Sequence, residues 1–425
     1  MPTGLRADYV VTGDGATLAP GWLVHDAGRI VAVGGGEPPT GAAFAAAPRG
    51  AAVVPGFVDA HAHLALGAFR GVADDSPFLD WIHRGLLPEF ERRKSEPEIF
   101  VRGAEHSVDL LLRGGVTAVG DHFFRLEGAA ALRRRGLRGV HFHEVFGSQA
   151  PDEDAYWAQA ESELSGLDAA LDGFPWGLSP HTPWTCPRRT FERAAAKARA
   201  EGRRLSFHLS ESAEEQAMFA ERRGPLYDAY ARQGRLDRYA LGATPAATLE
   251  ALGALGPRTL VAHAVHLAPD DVGILARTGT HVAHCPSSNL KLAEGVAPVA
   301  ALLAAGVNVA LGTDSAASSA RLDMFEEMRL AMFLGRGATG TVGPFRAATA
   351  LRMATLAGAR ALGLEDEIGT LAPGKRADFA VVDLSQPRHG PVKDPVQTLV
   401  WACDAADVSS TTIDGRERYA RSDVR

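Results

Sequence analysis

Eight short apolar runs alternate with longer stretches of helical period through the middle of the chain, and that rhythm leaves few folds open. The runs fall at 57–60, 116–120, 140–145, 177–180, 205–207, 259–262, 281–283 and 307–311. Helical patterns fill the intervals, as at 99–113, 189–200 and 299–305. Eight strand-then-helix units in about 310 residues predict an α/β fold, a (β/α)8 TIM-like barrel with insertions. An open doubly wound sheet fits less well, because no GxGxxG follows the first run.

The two ends read differently. Short strands at 9–12, 21–24 and 29–33 are broken by turns such as Gly13-Asp14-Gly15, with no helical period. From Gly369 onward strands and turns return, at 377–383 and 411–415. We therefore expect residues 1–52 and 369–425 to form one small β-rich accessory domain beside a barrel of residues 53–368.

Composition removes several function classes. A formal charge of -7 and a pI near 6.1 give no basic footprint for nucleic acid or an anionic membrane. The run Arg133-Arg134-Arg135 reads as a solvated helix end. Cys186, Cys285 and Cys403 are the only cysteines and form no CxxC pair, which points to a reducing compartment. The start of the chain lacks a basic segment followed by an apolar run, and no apolar stretch approaches the roughly 20 residues that span a bilayer. The expectation is a cytoplasmic protein acting on a small molecule, with no nucleic-acid or membrane partner and homo-oligomerisation left open.

In such a barrel, side chains at the C-terminal ends of the strands converge on one mouth. Those ends carry His61, His63, Asp121, His143, His181, His208, His263, His284 and Asp314. Seven of the chain's fifteen histidines thus sit where they can meet. His61 and His63, two apart, point to one face and can reach one metal. His208 and Asp314 add an imidazole and a hard carboxylate, a set suited to Zn²⁺, Fe²⁺ or Mn²⁺ rather than Ca²⁺. Glu211, three residues past His208, can exchange protons with a water there without ligating the ion.

Two motifs resemble the amidohydrolase superfamily. They are Val54-Pro55-Gly56-Phe57-Val58-Asp59-Ala60-His61-Ala62-His63 and Gly369-Thr370-Leu371-Ala372-Pro373-Gly374-Lys375-Arg376-Ala377-Asp378-Phe379. His208-Leu209-Ser210-Glu211, His284-Cys285-Pro286-Ser287-Ser288-Asn289-Leu290-Lys291-Leu292 and Gly312-Thr313-Asp314-Ser315 resemble its cytosine/adenosine-type deaminase and chlorohydrolase branch. Leu322-Asp323-Met324-Phe325-Glu326-Glu327-Met328-Arg329 is similar to S-adenosylhomocysteine/methylthioadenosine deaminases. Ser179-Pro180-His181-Thr182-Pro183 and Gly224-Pro225-Leu226 also resemble 6-aminodeoxyfutalosine deaminases.

The resemblance implies one divalent metal, zinc first with iron or manganese as alternatives, held by His61, His63, His208 and Asp314. It implies Glu211 as proton shuttle, His263 (with His266 as alternative) bonding the attacking water together with Asp314, and His181 and His284 contacting substrate. Binuclear relatives use a carboxylated lysine at the fourth strand, whereas here that strand ends in His181 and the lysines are Lys94, Lys197, Lys291, Lys375 and Lys393. The absence of a PCxxC pair excludes the other zinc-deaminase fold. Two departures stand out. The sugar-binding acid of related nucleoside deaminases follows Leu-Pro, but Leu87-Pro88-Glu89-Phe90-Glu91 offers two acids in shifted register. Ser315 stands where several relatives have glycine.

The reading that follows is hydrolytic deamination of a 6-aminopurine nucleoside such as aminodeoxyfutalosine, methylthioadenosine or S-adenosylhomocysteine. Its rivals are deamination of a free base (guanine, cytosine or a pterin), halide displacement from a triazine, and a non-catalytic scaffold. The long segment between Glu211 and Thr259 exceeds a plain connection and predicts a wall or lid over the mouth, able to touch a sugar or 5′-substituent.

Overall fold

In the computed structural model, which describes residues 2–422, eight parallel strands follow one another in sequence order around one sheet. They are Phe57–Ala62, Val116–Phe123, Arg138–Val145, Trp176–Pro180, Leu205–Leu209, Thr259–His263, His281–His284 and Val309–Leu311. The ring is joined at its mouth by a bridge between Ala62 and Asp314. There the Asp314 amide donates to the His61 carbonyl at 2.9 Å, and the His63 amide donates to the Asp314 carbonyl at 2.8 Å. The expected TIM-like barrel is therefore present.

Alternate residues of each strand fill the interior, among them Val58, Ala60, Val140, Phe142, Leu260 and Ala310. The helix Leu356–Leu362 packs Ala357, Ala359 and Leu362 against the same cluster. Two details bring the first and last strands together. Gly312 lies so close to the first strand that a Cβ there would meet the His61 carbonyl oxygen at 2.8 Å and the His61 Cβ at 2.9 Å. The buried Asp59 carboxylate accepts from the Thr313 amide at 3.0 Å and its hydroxyl at 2.5 Å.

Both chain ends contribute to sheets outside the barrel, as the sequence predicts. Thr3–Ala7, Gly21–Asp26, Arg29–Gly35 and Ala43–Ala46 form one sheet. In a second, six-stranded sheet, Phe379–Asp383 pairs antiparallel with Ala51–Pro55, so strands from the two ends lie side by side. This sheet reaches Pro55, three residues past position 52, where the sequence changes texture. The tail also holds a helix, Pro395–Ala402, that its β-rich pattern hides. Its local cause is legible afterwards: Asp394 accepts from the Val396 and Gln397 amides, and Pro395 occupies the first turn.

Two insertions rise over the mouth. The first follows the first strand and runs through Phe78–Asp80, Trp81–Leu86 and Leu87–Arg93. The second follows the fifth strand and includes Ala217–Glu221, Pro225–Arg232 and Pro245–Ala251.

Candidate active site

The strand ends bring His61, His63, His208 and Asp314 together, all buried. The His63 Nδ1–H donates to the His122 carbonyl at 2.8 Å, and the His208 Nδ1–H to the His181 carbonyl at 2.8 Å. Each bond fixes the tautomer and leaves the Nε2 lone pair free to ligate. Those two Nε2 atoms stand 3.1 Å apart. Asp314 Oδ1 is 3.5 Å from His63 Nε2 and 3.8 Å from His61 Nε2.

Without a cation this arrangement is unfavourable. Two facing lone pairs repel, and neither ring nitrogen of the fully buried His61 makes a hydrogen bond within the protein. The sets His61–His63–Asp314, His61–His208–His263 and His63–Glu144–His208 each hold their ligand atoms within 4.8 Å of one another. These residues fit a divalent transition ion, whose bonds to nitrogen and oxygen run at about 2.0–2.2 Å. Ser288 and Ser318 hydroxyls donate to Asp314 Oδ2 at 2.6 and 2.7 Å, leaving Oδ1 to face the imidazoles.

Glu211 and His263 stand beside this cluster. Burial, reinforced by the charges of Asp314 and Glu215, pushes the Glu211 carboxyl well above its ordinary range. His263 donates from Nδ1 to Asn289 Oδ1 at 2.8 Å, while its Nε2 has no partner and lies 3.5 Å from Glu211 Oε1. Left-handed backbone recurs at these turns, with φ of 48° at Ser210, 70° at His263 and 58° at Asp314. Such conformations cost energy in residues other than glycine, and here they aim three strand ends at one point.

A cavity of about 640 Å³ opens from this point. His63, His208, Glu211, His263, Asp314 and Ser315 line its inner end. His181 lines it too, its Nδ1 hydrogen-bonded to Thr185 Oγ1 at 2.9 Å. The segment after Glu211 supplies Leu226, Ala229, Tyr230 and Gln233 to the wall, as its length predicts.

Other expectations need correction. Asp121 and His143 do not line the cavity. Val140 and Phe142 point into the barrel, so His141 and His143 share the opposite face, where His141 Nδ1 meets Asp121 Oδ2 at 3.1 Å. The same parity brings Glu144 into the cavity, a residue the strand-end reading missed. Its Oε1 is buried without a hydrogen-bond partner, 3.7 Å from His63 Nδ1, and burial pushes its carboxyl up to about 7. His284 is buried and lies off the cavity lining. His266 bonds the Glu294 carbonyl through Nε2 at 2.7 Å and also lies off the lining, which separates it from His263.

Glu89 and Glu91 face away from the cavity. Glu89 accepts from Arg92 Nε at 3.0 Å and Glu91 from Lys94 at 2.6 Å, while Leu86, Leu87 and Phe90 line the wall. A separate buried group, His389, Cys403 and Asp407, lies in the C-terminal part. Asp407 there is already paired with Arg388 and His389, which gives the group a structural explanation.

The chain is 38% identical over 424 residues to a 5-methylthioadenosine/S-adenosylhomocysteine deaminase of Moorella thermoacetica, covering 99% of this chain and 89% of that one. It is 34% identical over 374 residues to a 5'-deoxyadenosine deaminase of Methanothermobacter thermautotrophicus, covering 86% and 82%. The crystal structure of an adenosine deaminase from Xanthomonas campestris with bound zinc superposes with a TM-score of 0.85 at 32% identity, covering 100% of this chain and 94% of that one. The amidohydrolase family model matches residues 52–418, and the chain belongs to that family.

Proposed function

We propose that the chain is a mononuclear metal-dependent aminohydrolase that replaces the 6-amino group of an adenine nucleoside by oxygen and releases ammonia. The observation that carries this reading is the position of Glu211 and His263 beside four ligand-type side chains on the wall of one cavity. The deaminase relatives act on adenine nucleosides by name, and the hydrolase class follows from the family.

His61, His63, His208 and Asp314 would hold the ion. Zinc is favoured by the imidazole and carboxylate donors and by its presence in the Xanthomonas campestris relative. When bound, the ion supplies Lewis acidity that makes a water nucleophilic near neutral pH. Glu211 takes the proton of that water and delivers it to the ring nitrogen next to the amine-bearing carbon. His263 Nε2, with its lone pair free, accepts a hydrogen bond from the same water and orients it, helped by Asp314. The water oxygen adds to the carbon as the ring nitrogen takes that first proton; the second proton of the water then passes by way of Glu211 to the amine, the carbon–nitrogen bond breaks, and ammonia leaves as the 6-oxo group forms. His181 contacts the base from the wall.

A single ion is supported by His181 at the end of the fourth strand, the position at which binuclear relatives carry a lysine. The three cysteines are unpaired, in keeping with a reducing cytoplasm, and among the described residues no helix is long and apolar enough to cross a membrane. The test is conversion of a 6-amino to a 6-oxo purine nucleoside with one ammonia released per turnover. Release of ammonia from no adenine nucleoside by the metal-loaded protein would overturn the proposal.

A further inference from the structure

The outer part of the cavity is mainly apolar, and its polar side chains, such as Ser148, Gln149, Thr182 and Gln233, carry no charge. Phe78, Trp81, Ile82 and Phe90 come from the insertion after the first strand, and Trp184 and Leu226 face them. No lysine or arginine lines the cavity among the described residues. Its acids, Glu144, Glu211 and Asp314, belong to the inner end, beside the imidazoles. The nearby guanidinium groups are engaged elsewhere. Arg235 donates to the Ser148 carbonyl and to Gln149 Oε1, each at 2.8 Å, and Arg238 donates to the Ala150 carbonyl at 2.7 Å. His83, exposed at the rim, is the one imidazole outside the inner end.

We infer that this cavity selects a nucleoside whose 5′-substituent is apolar and uncharged, and that it discriminates against a zwitterionic amino-acid substituent of the kind carried by S-adenosylhomocysteine. The inference rests on the nucleoside reading above. With the amine-bearing carbon at Glu211, the 5′-end of a nucleoside points away from the ion, toward the aromatic walls. An alkylthio or similar group gains there by leaving water, in proportion to the apolar area buried. A carboxylate and an ammonium entering the same space lose hydration and meet no opposite charge, a penalty that falls on the bound state and the transition state alike. The acids that could have met an ammonium, Glu89 and Glu91, are turned outward into pairs with Arg92 and Lys94.

The experiment compares methylthioadenosine with S-adenosylhomocysteine on the metal-loaded enzyme at about pH 8, where an imidazole carries little charge. We expect kcat/KM for ammonia release to favour methylthioadenosine by at least ~10²-fold. Ratios within about 10-fold, or a preference for the zwitterion, overturn the inference. A parallel measurement of Kd on the Glu211→Gln variant separates this inference from the functional reading. If neither compound releases ammonia, the reading as an adenine-nucleoside deaminase fails, and the binding comparison still decides the selectivity. Tighter binding of methylthioadenosine by at least ~10-fold sustains it, and equal binding sinks it.

Discussion

His263 Nε2 lies 3.5 Å from Glu211 Oε1, on the side of the imidazole opposite its bond to Asn289. Because Asn289 Oδ1 accepts from Nδ1, Nε2 carries the lone pair, and two proton acceptors of different basicity face one another across the site. A water between them can donate to both, with the carboxylate taking the proton for transfer and the imidazole holding the oxygen in line.

Glu211→Gln should therefore keep the ion and lose most turnover. The amide preserves shape but cannot carry the proton, and loss of general acid–base catalysis costs about 10²–10⁴-fold in rate. Steady-state kinetics with elemental analysis of the same sample checks this. A variant within a few-fold of the parent would remove Glu211 from the proton path.

Asn289→Leu should lower kcat by about 10–100-fold with metal content unchanged, because the side chain that fixes the His263 tautomer is lost. Asn289→Asp, which keeps an acceptor opposite Nδ1, should retain more activity than the leucine variant. Equal activity of the two would show that the bond to His263 does not matter for catalysis.

The barrel and the gathering of His61, His63, His208 and Asp314 at its mouth were legible because they rest on local rules. Apolar runs of strand length alternating with helical period dictate the sheet order, and the histidine at the end of a run follows from its place in sequence. Side-chain parity was not legible in the same way. His143 and Glu144 are adjacent, and which of them faces the cavity depends on Val140 and Phe142 packing inside the barrel, a tertiary fact. The second acid near Leu87-Pro88 illustrates the same limit. Only the helix through Leu87–Arg93 shows that its apolar residues line the wall while Glu89 and Glu91 meet Arg92 and Lys94. His284 shows a third limit: its place at a strand end is legible, but whether that end opens onto the mouth is not, and here the side chain is buried off the lining.

Replacing His61 or Asp314 by alanine should remove metal and activity together. A site reduced to three protein ligands holds the ion less firmly, and His61 has no protein partner that could compensate. The parent should carry close to one divalent transition ion per chain by elemental analysis. Full metal content in both variants would show that the ion sits elsewhere.

Thr313→Val should destabilise the fold by about 1–3 kcal/mol, since the buried Asp59 carboxylate loses one of its donors while keeping the Thr313 amide. The shift in denaturant midpoint measures it. Because this pair ties the first strand to the turn that carries Asp314, weaker metal retention should accompany the loss. An unchanged midpoint would mean that Asp59 finds another partner.

A 5′-substituted adenine nucleoside should surpass free adenine by at least ~10²-fold in kcat/KM, about 2.7 kcal/mol of transition-state binding. The base alone fills only the inner end, next to Glu211, His181 and His263, and leaves the wall formed by Trp81, Phe90, Leu226 and Tyr230 without contact. Interactions made there with the sugar and its substituent hold the reacting carbon against the attacking water, so binding energy gained far from the chemistry appears in the rate. Truncation to adenine should then lower kcat as well as affinity, and 5′-deoxyadenosine should fall between adenine and methylthioadenosine. Ammonia release from the three compounds under one condition checks the order. Adenine as the best of the three would show that the outer cavity serves something other than the substrate, while leaving the metal cluster and the proton path intact.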